Sequence, residues 1–227
     1  MNHNAGMASS PKRYVAEFVG TSILVTAIVG SGAMAASRTS DAGIFLLTNA
    51  AVTAITLWIL IVLLSDISGA HFNPAVSAVM LYRKALNIRD FFGYVFSQVS
   101  GAVVGVVVAN LMYDLPTLTV SETERVTTAH LLSEVVATAG LVGLIVALIM
   151  TTNTKAIPAA VSGWVFAAIL FTSSTAFANP AVTIGRSLTS SVTGIAPASA
   201  VAFILVQFVG AVIGLIVSEV FLAKEKS

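Results

Sequence analysis

Ser68-Gly-Ala-His71-Phe-Asn73-Pro74-Ala75-Val76 and, later in the chain, Phe177-Ala-Asn179-Pro180-Ala181-Val182 carry the same Asn-Pro-Ala-Val core 106 residues apart. Asn is a strong helix N-cap, and Pro at the first helical position gives up no hydrogen bond that the helix needs, so each motif should start a helix. Both lie in stretches, about 66–82 and 173–189, that are too polar and too short to cross a bilayer alone. From Pro74 to Tyr82, or from Pro180 to Leu188, nine residues at 1.5 Å rise span about 13 Å, roughly half the hydrocarbon thickness.

Around these motifs lie six apolar runs nearly free of charge, at about 14–35, 44–64, 91–113, 131–150, 157–172 and 197–222. Six membrane spans follow, and the run at 157–172 must extend into its polar flanks to reach across. Of the 227 residues, 57% are hydrophobic and 9% charged, with a mean hydropathy of +0.96. A soluble domain has about a quarter of its residues charged, so a soluble enzyme, a disordered chain and a nucleic-acid binder are all excluded. A net charge of +1 gives no reason to invoke a polyanionic partner.

The absence of cysteine removes disulfides and thiolate metal sites. His3, His71 and His130 lack ligand spacing, so neither a metal nor another cofactor is expected. Lys12 and Arg13 ahead of a run ending in Gly32-Ala33-Met34-Ala35 are similar to a signal peptide. Glu17 interrupts that run, however, and an internal repeat requires the segment to stay in place as a helix.

The repeat is legible in three matches. Tyr14-Val-Ala-Glu17-Phe-Val-Gly-Thr21 echoes Leu131-Leu-Ser-Glu134-Val-Val-Ala-Thr138, 117 residues on; the Asn-Pro-Ala motifs are 106 apart; Gln98-Val-Ser-Gly101-Ala-Val-Val-Gly105 recurs 109 residues on as Gln207-Phe-Val-Gly210-Ala-Val-Ile-Gly214. Each half, about 12–113 and 129–223, therefore holds three spans with an Asn-Pro-Ala segment between its second and third. An odd number of spans makes the second half enter with opposite orientation, giving an inverted repeat within one membrane domain over 1–227. With a cytoplasmic N-terminus, the inner side carries Lys12, Arg13, Arg83, Lys84, Arg89, Lys155, Lys224 and Lys226, and the outer side only Arg38, Arg125 and Arg186. Eight against three obeys the positive-inside rule. The linker near 114–129 then joins the halves outside.

The inverted repeat brings two half-helices in from opposite faces, with their N-termini meeting near the midplane. Non-helical backbone at that depth survives only where protein buries it or water reaches it, so the loops before Asn73 and Asn179 should line a wet passage. There the two Asn amides offer N–H donors and the helix N-termini a positive potential. A neutral hydroxylated molecule exchanges its hydration for these bonds, whereas a cation or a migrating proton is opposed. Gly101-x3-Gly105 and Gly210-x3-Gly214 are faces for close helix crossing.

These loops, with Glu17, Glu134, Gln98 and Gln207, resemble those of the aquaporin, or major intrinsic protein, family over nearly the whole chain. The resemblance implies an all-α membrane protein of six transmembrane helices plus two re-entrant half-helices, one pore per subunit, in a homotetramer. It implies a multi-pass protein of a plasma or bacterial inner membrane, with both termini cytoplasmic. Asn73 and Asn179 become pore donors, Glu17 and Glu134 braces of the loops, and His71 a pore-lining or loop-bracing residue. Backbone carbonyls at about 69–72 and 176–178 become the acceptor track.

The departure from the family comes immediately after the second motif, where most members place Arg and this chain has Val182. Ungapped spacing puts the other three filter positions on Thr53, Ala167 and Ala176, so all four are small and uncharged. Such a filter suits an aquaglyceroporin-like channel for water and bulky neutral solutes: glycerol, urea or metalloid hydroxides such as arsenous acid. Glycerol-type members often carry Asp after the filter Arg, where this chain has Thr183. Arg186, one turn beyond Val182, is expected to snorkel to the outer interface. A water-selective aquaporin and a secondary transporter with a midplane site are the alternatives. An intramembrane hydrolase lacks a Gly-x-Ser-x-Gly motif.

Overall fold

The structure, a computed structural model, describes residues 10–222, in which all regular structure is helical. His3, Lys224 and Lys226 lie outside the described residues. Six helices are long and apolar enough to span a membrane. They are α1 (Ser10–Arg38), α2 (Ala42–Ser68), α4 (Ile88–Met112), α5 (Thr128–Met150), α6 (Ile157–Phe171) and α8 (Pro197–Leu222), with the short α3 (Pro74–Tyr82) and α7 (Pro180–Arg186) between the second and third of each half. The run at 157–172 is completed at one end only, by a 3-10 turn over Thr154–Ala156 that lengthens the span to 18 residues.

The helix starts follow the sequence chemistry. Asn73 accepts from the Ala75 amide, and Asn179 from those of Ala181 and Val182, with Pro next in both cases. α3 ends at Tyr82 as its spacing predicts. α7 stops at Arg186, two residues early, because the Ser187 and Leu188 amides close back onto the carbonyls of Ile184 and Gly185.

Two sets of contacts assign the half-helices to opposite faces. At one face Arg83, just past α3, pairs with Glu219 near the end of α8 (3.1 Å). At the other, the inter-half linker donates from Thr119 and Ser121 to the carbonyls of Leu188 and Ser187, just past α7. The first is the face of the chain ends, the second the face of the linker.

The long helices cross in pairs at glycines. A Cβ on Gly101 or Gly105 would collide with the Phe18 or Ser22 carbonyl of α1, and one on Gly210 or Gly214 with the Val135 or Ala139 carbonyl of α5. The missing side chains let α1 approach α4, and α5 approach α8, backbone to backbone. Side chains such as Ile55, Leu63, Phe96, Leu205 and Phe221 are left exposed on the outside, as expected for a surface solvated by lipid.

One buried ion pair ties α1 to α4. Arg13, counted above among the inner-loop charges, is buried, with its Nη1 2.9 Å from Asp90. Tyr14 also donates to Asp90, and Arg13 Nε donates to the Tyr94 hydroxyl, which in turn donates to the carbonyl of Ser68 at the mouth of the first loop.

Candidate functional site: the central passage

Between the two halves lies a cavity of about 770 Å³, walled by α2, α6, both half-helices and the loops leading into them. On α2 its lining runs from Asn49 to Asp66. Seventeen steps of 1.5 Å make that about 26 Å, most of the hydrocarbon thickness.

The loops reach the cavity through an unusual backbone. Gly69, Ala70 and Phe72 have φ of 87°, 49° and 48°; Thr175, Ala176 and Ala178, each 106 residues on, have 62°, 46° and 46°. Left-handed non-glycine residues each cost free energy, of the order of 1–3 kcal/mol where strained, and persist only when the surroundings hold them.

Glu17 and Glu134 do the holding, and neither is exposed at all. Glu17 accepts from the Ser68 hydroxyl (2.6 Å), the amides of His71 (3.0 Å) and Phe72 (2.6 Å), and Gln98 Nε2 (2.8 Å). Glu134 repeats the set with the Ser174 hydroxyl (2.6 Å), the amides of Phe177 and Ala178 (both 2.9 Å), and Gln207 Nε2 (2.7 Å). The two glutamines also donate to Ser77 and Thr183 on the half-helices. Four donors fill each carboxylate, about its full capacity, which is how a charged group persists at this depth.

Asn73 and Asn179 meet at the centre of the passage. Asn73 Nδ2 donates to the Ala178 carbonyl and Asn179 Nδ2 to the Phe72 carbonyl, both at 2.8 Å. Each amide group has two N–H bonds, so one remains on each side for a solute. The same bonds engage two carbonyls of the expected acceptor track, Phe72 and Ala178. His71 lines the cavity, and its Nδ1 lies 3.1 Å from the hydroxyl of Ser77 on α3.

Three of the four residues aligned with the filter, Thr53, Ala176 and Val182, line the cavity and are buried. Ala167 does not: it is exposed on the outside of α6, and Ala168 lines the cavity in its place. One residue turns a helix by about 100°, so a one-residue difference in spacing carries the side chain from the passage to the exterior.

Arg186 is a second correction. It does not snorkel outward but is buried at 6% exposure in the cavity wall. Its Nε donates to the Thr193 carbonyl (2.6 Å), and its guanidinium lies 3.4 Å from the centre of the Phe177 ring. The lining of the passage is therefore not free of cations. Arg186 stands one helical turn beyond Val182, the residue aligned with the expected filter.

Residues 5–175 match the family described as Major intrinsic protein. The aquaglyceroporin AqpS of Rhizobium meliloti (strain 1021) is 45% identical over 204 residues, covering 90% of this chain and 87% of that protein. A probable glycerol uptake facilitator protein of Thermotoga maritima is 34% identical over 105 residues, 44% of this chain and 43% of that one. The X-ray structure of the aquaglyceroporin from Plasmodium falciparum superposes with a TM-score of 0.68 over 94% of this chain and 95% of its own, at 19% identity, a likeness of fold.

Proposed function

The chain belongs to the major intrinsic protein family, and from that premise we propose that its passage conducts bulky uncharged solutes in addition to water: glycerol, urea and metalloid hydroxides such as arsenous acid. The protein is a multi-pass membrane channel for water and small solutes, passive in mechanism and not an enzyme. The observation that supports the solute range is that Thr53, Ala168, Ala176 and Val182, all small and uncharged, line the passage.

In this reading Asn73 and Asn179 hold a solute oxygen with their spare N–H bonds, and free loop carbonyls before each Asn accept from the solute hydroxyls. Pro74, Ala75, Pro180 and Ala181 start the half-helices whose positive ends meet there and oppose cations. Glu17, Glu134 and His71 position the loops. The two repeats, about 12–113 and 129–223, form one channel domain, placed in a plasma or bacterial inner membrane with both termini cytoplasmic. The face of the chain ends is then the inner side. Four copies assemble into a homotetramer, burying part of the exposed apolar surface.

A permeability panel on purified protein in proteoliposomes tests the solute range. Glycerol, urea and arsenous acid should all enter along with water; water flux with exclusion of all three would overturn the wide-filter reading. A proton-coupled transporter is disfavoured by Glu17 and Glu134, whose lone pairs are committed to loop bonds. Flux that saturates at low solute and follows an imposed proton gradient would restore it.

A further inference from the structure

A guanidinium withdrawn from bulk water needs a counter-charge or water to offset its lost hydration. Arg186 has one hydrogen bond, from Nε to Thr193, and an aromatic face at Phe177. Its two terminal nitrogens have no acceptor among the described residues. The ion pairs among the described residues, Arg13–Asp90 and Arg83–Glu219, do not include it. Glu134 lies behind the same loop, but its oxygens are taken by Ser174, Phe177, Ala178 and Gln207.

A second cation adds to the imbalance. Arg125, on the linker, sits 5.4 Å from the Phe177 ring centre, held by the carbonyls of Gly194 (2.7 Å) and Val192 (3.1 Å). Two guanidinium groups thus share one aromatic ring, and among the described residues no carboxylate forms an ion pair with either. Arg125 spends donors on the backbone, whereas Arg186 keeps the outer edge of its fork for whatever enters the passage.

We propose that Arg186 forms an anion-binding site at the linker-face end of the passage, taking a small monovalent oxyanion, a carboxylate or an oxoacid anion, through its free guanidinium edge. Two parallel N–H bonds to two oxygens are the geometry a guanidinium fork favours, and a low-dielectric wall strengthens them. Arg125 adds long-range attraction, and Phe177 fixes the plane of the fork. Neutral solutes pass the same point, so a bound anion slows them. That consequence rests on the channel reading; the binding itself does not.

The test uses the full chain, purified in detergent, titrated with sodium formate at constant ionic strength set by sodium chloride. Calorimetry should show saturable formate binding, and Arg186→Gln should weaken it by about tenfold or more, as expected when a charge-assisted pair is lost. Arg186→Lys keeps the charge without the fork and should fall between the two, which also supplies the comparison if Arg186→Gln does not fold. In proteoliposomes, external formate should slow urea entry through the wild-type protein. No saturable formate binding, or equal affinity in wild type and both variants, overturns the site. Formate binding with no solute flux at all upholds the site and overturns the channel reading instead.

Discussion

Asn73 and Asn179 each support the loop that belongs to the other, through paired 2.8 Å bonds to the carbonyls of Ala178 and Phe72. Asn73→Asp keeps the oxygen that caps α3 but sets a carboxylate against the Ala178 carbonyl. An unmet buried acceptor costs about 1–3 kcal/mol, more for a charged group. The variant should unfold at lower temperature and lose most of its water flux, measured by thermal unfolding and by stopped-flow light scattering. Asn179→Asp should behave alike, because its bond is the mirror of the first.

Glu17→Gln replaces an acceptor of four hydrogen bonds by a group with one oxygen and two N–H bonds, so some of the donors of Ser68, His71, Phe72 and Gln98 lose their acceptor. A loss of at least ~3 kcal/mol is expected, since hydrogen bonds to a charged group are worth about 1.5–3 kcal/mol each. Glu134→Gln should match it. Chemical unfolding of the two variants in detergent checks both the size of the effect and its symmetry.

Glycines at the helix crossings should separate sharply from one that faces open space. Gly101→Ala drives a methyl into the Phe18 carbonyl and should abolish recovery of folded protein. Gly163, in α6, has nothing within 4 Å of where its Cβ would stand. Gly163→Ala should therefore stabilise by up to ~1 kcal/mol through helix propensity alone. Yield and melting temperature of the two single variants distinguish the cases.

Val182→Arg tests where size selection resides. It adds a long cation to a wall that already holds Arg186, so glycerol and urea entry should fall at least about tenfold, a barrier rise of roughly 1.4 kcal/mol, with water reduced far less. Unchanged glycerol entry would mean that Val182 does not face the narrowest section.

Arg13→Met alone removes the cation from the buried Asp90, which keeps its bonds from Tyr14 and Asn87, and should cost about 3 kcal/mol, whereas the double replacement Arg13→Met, Asp90→Asn, which removes the carboxylate charge and keeps an oxygen for Tyr14, should recover part of it. A double-mutant cycle on thermal stability measures the recovery.

Sequence reading succeeded where the chemistry is local or repeated. Asn73-Pro74 and Asn179-Pro180 announce helix starts because cap and first-turn residue are adjacent, and Glu17 and Glu134 stand out because a charge in an apolar run occurs twice at matching places. It failed where direction in space decides. Ala167 and Ala168 differ only by a 100° turn of α6, which no local pattern reports. Arg186 is turned inward by the Phe177 ring, nine residues back in the loop before α7, and by the Thr193 carbonyl, seven residues on after the chain reverses. Ser68 and Ser174 were legible in principle, being paired at the 106-residue spacing of the motifs, but a serine near a helix end carries no signal until its carboxylate partner is known.

The crossed asparagine bonds also bear on biogenesis. A ribosome adding about 5–20 residues per second delivers Asn179 roughly 5–20 s after Asn73. During that interval the first half holds a Phe72 carbonyl whose donor has not been synthesised. The crossed pair therefore forms only once the chain has passed Asn179, and a nascent chain that stops short of it lacks one of the two donors on which both loops depend.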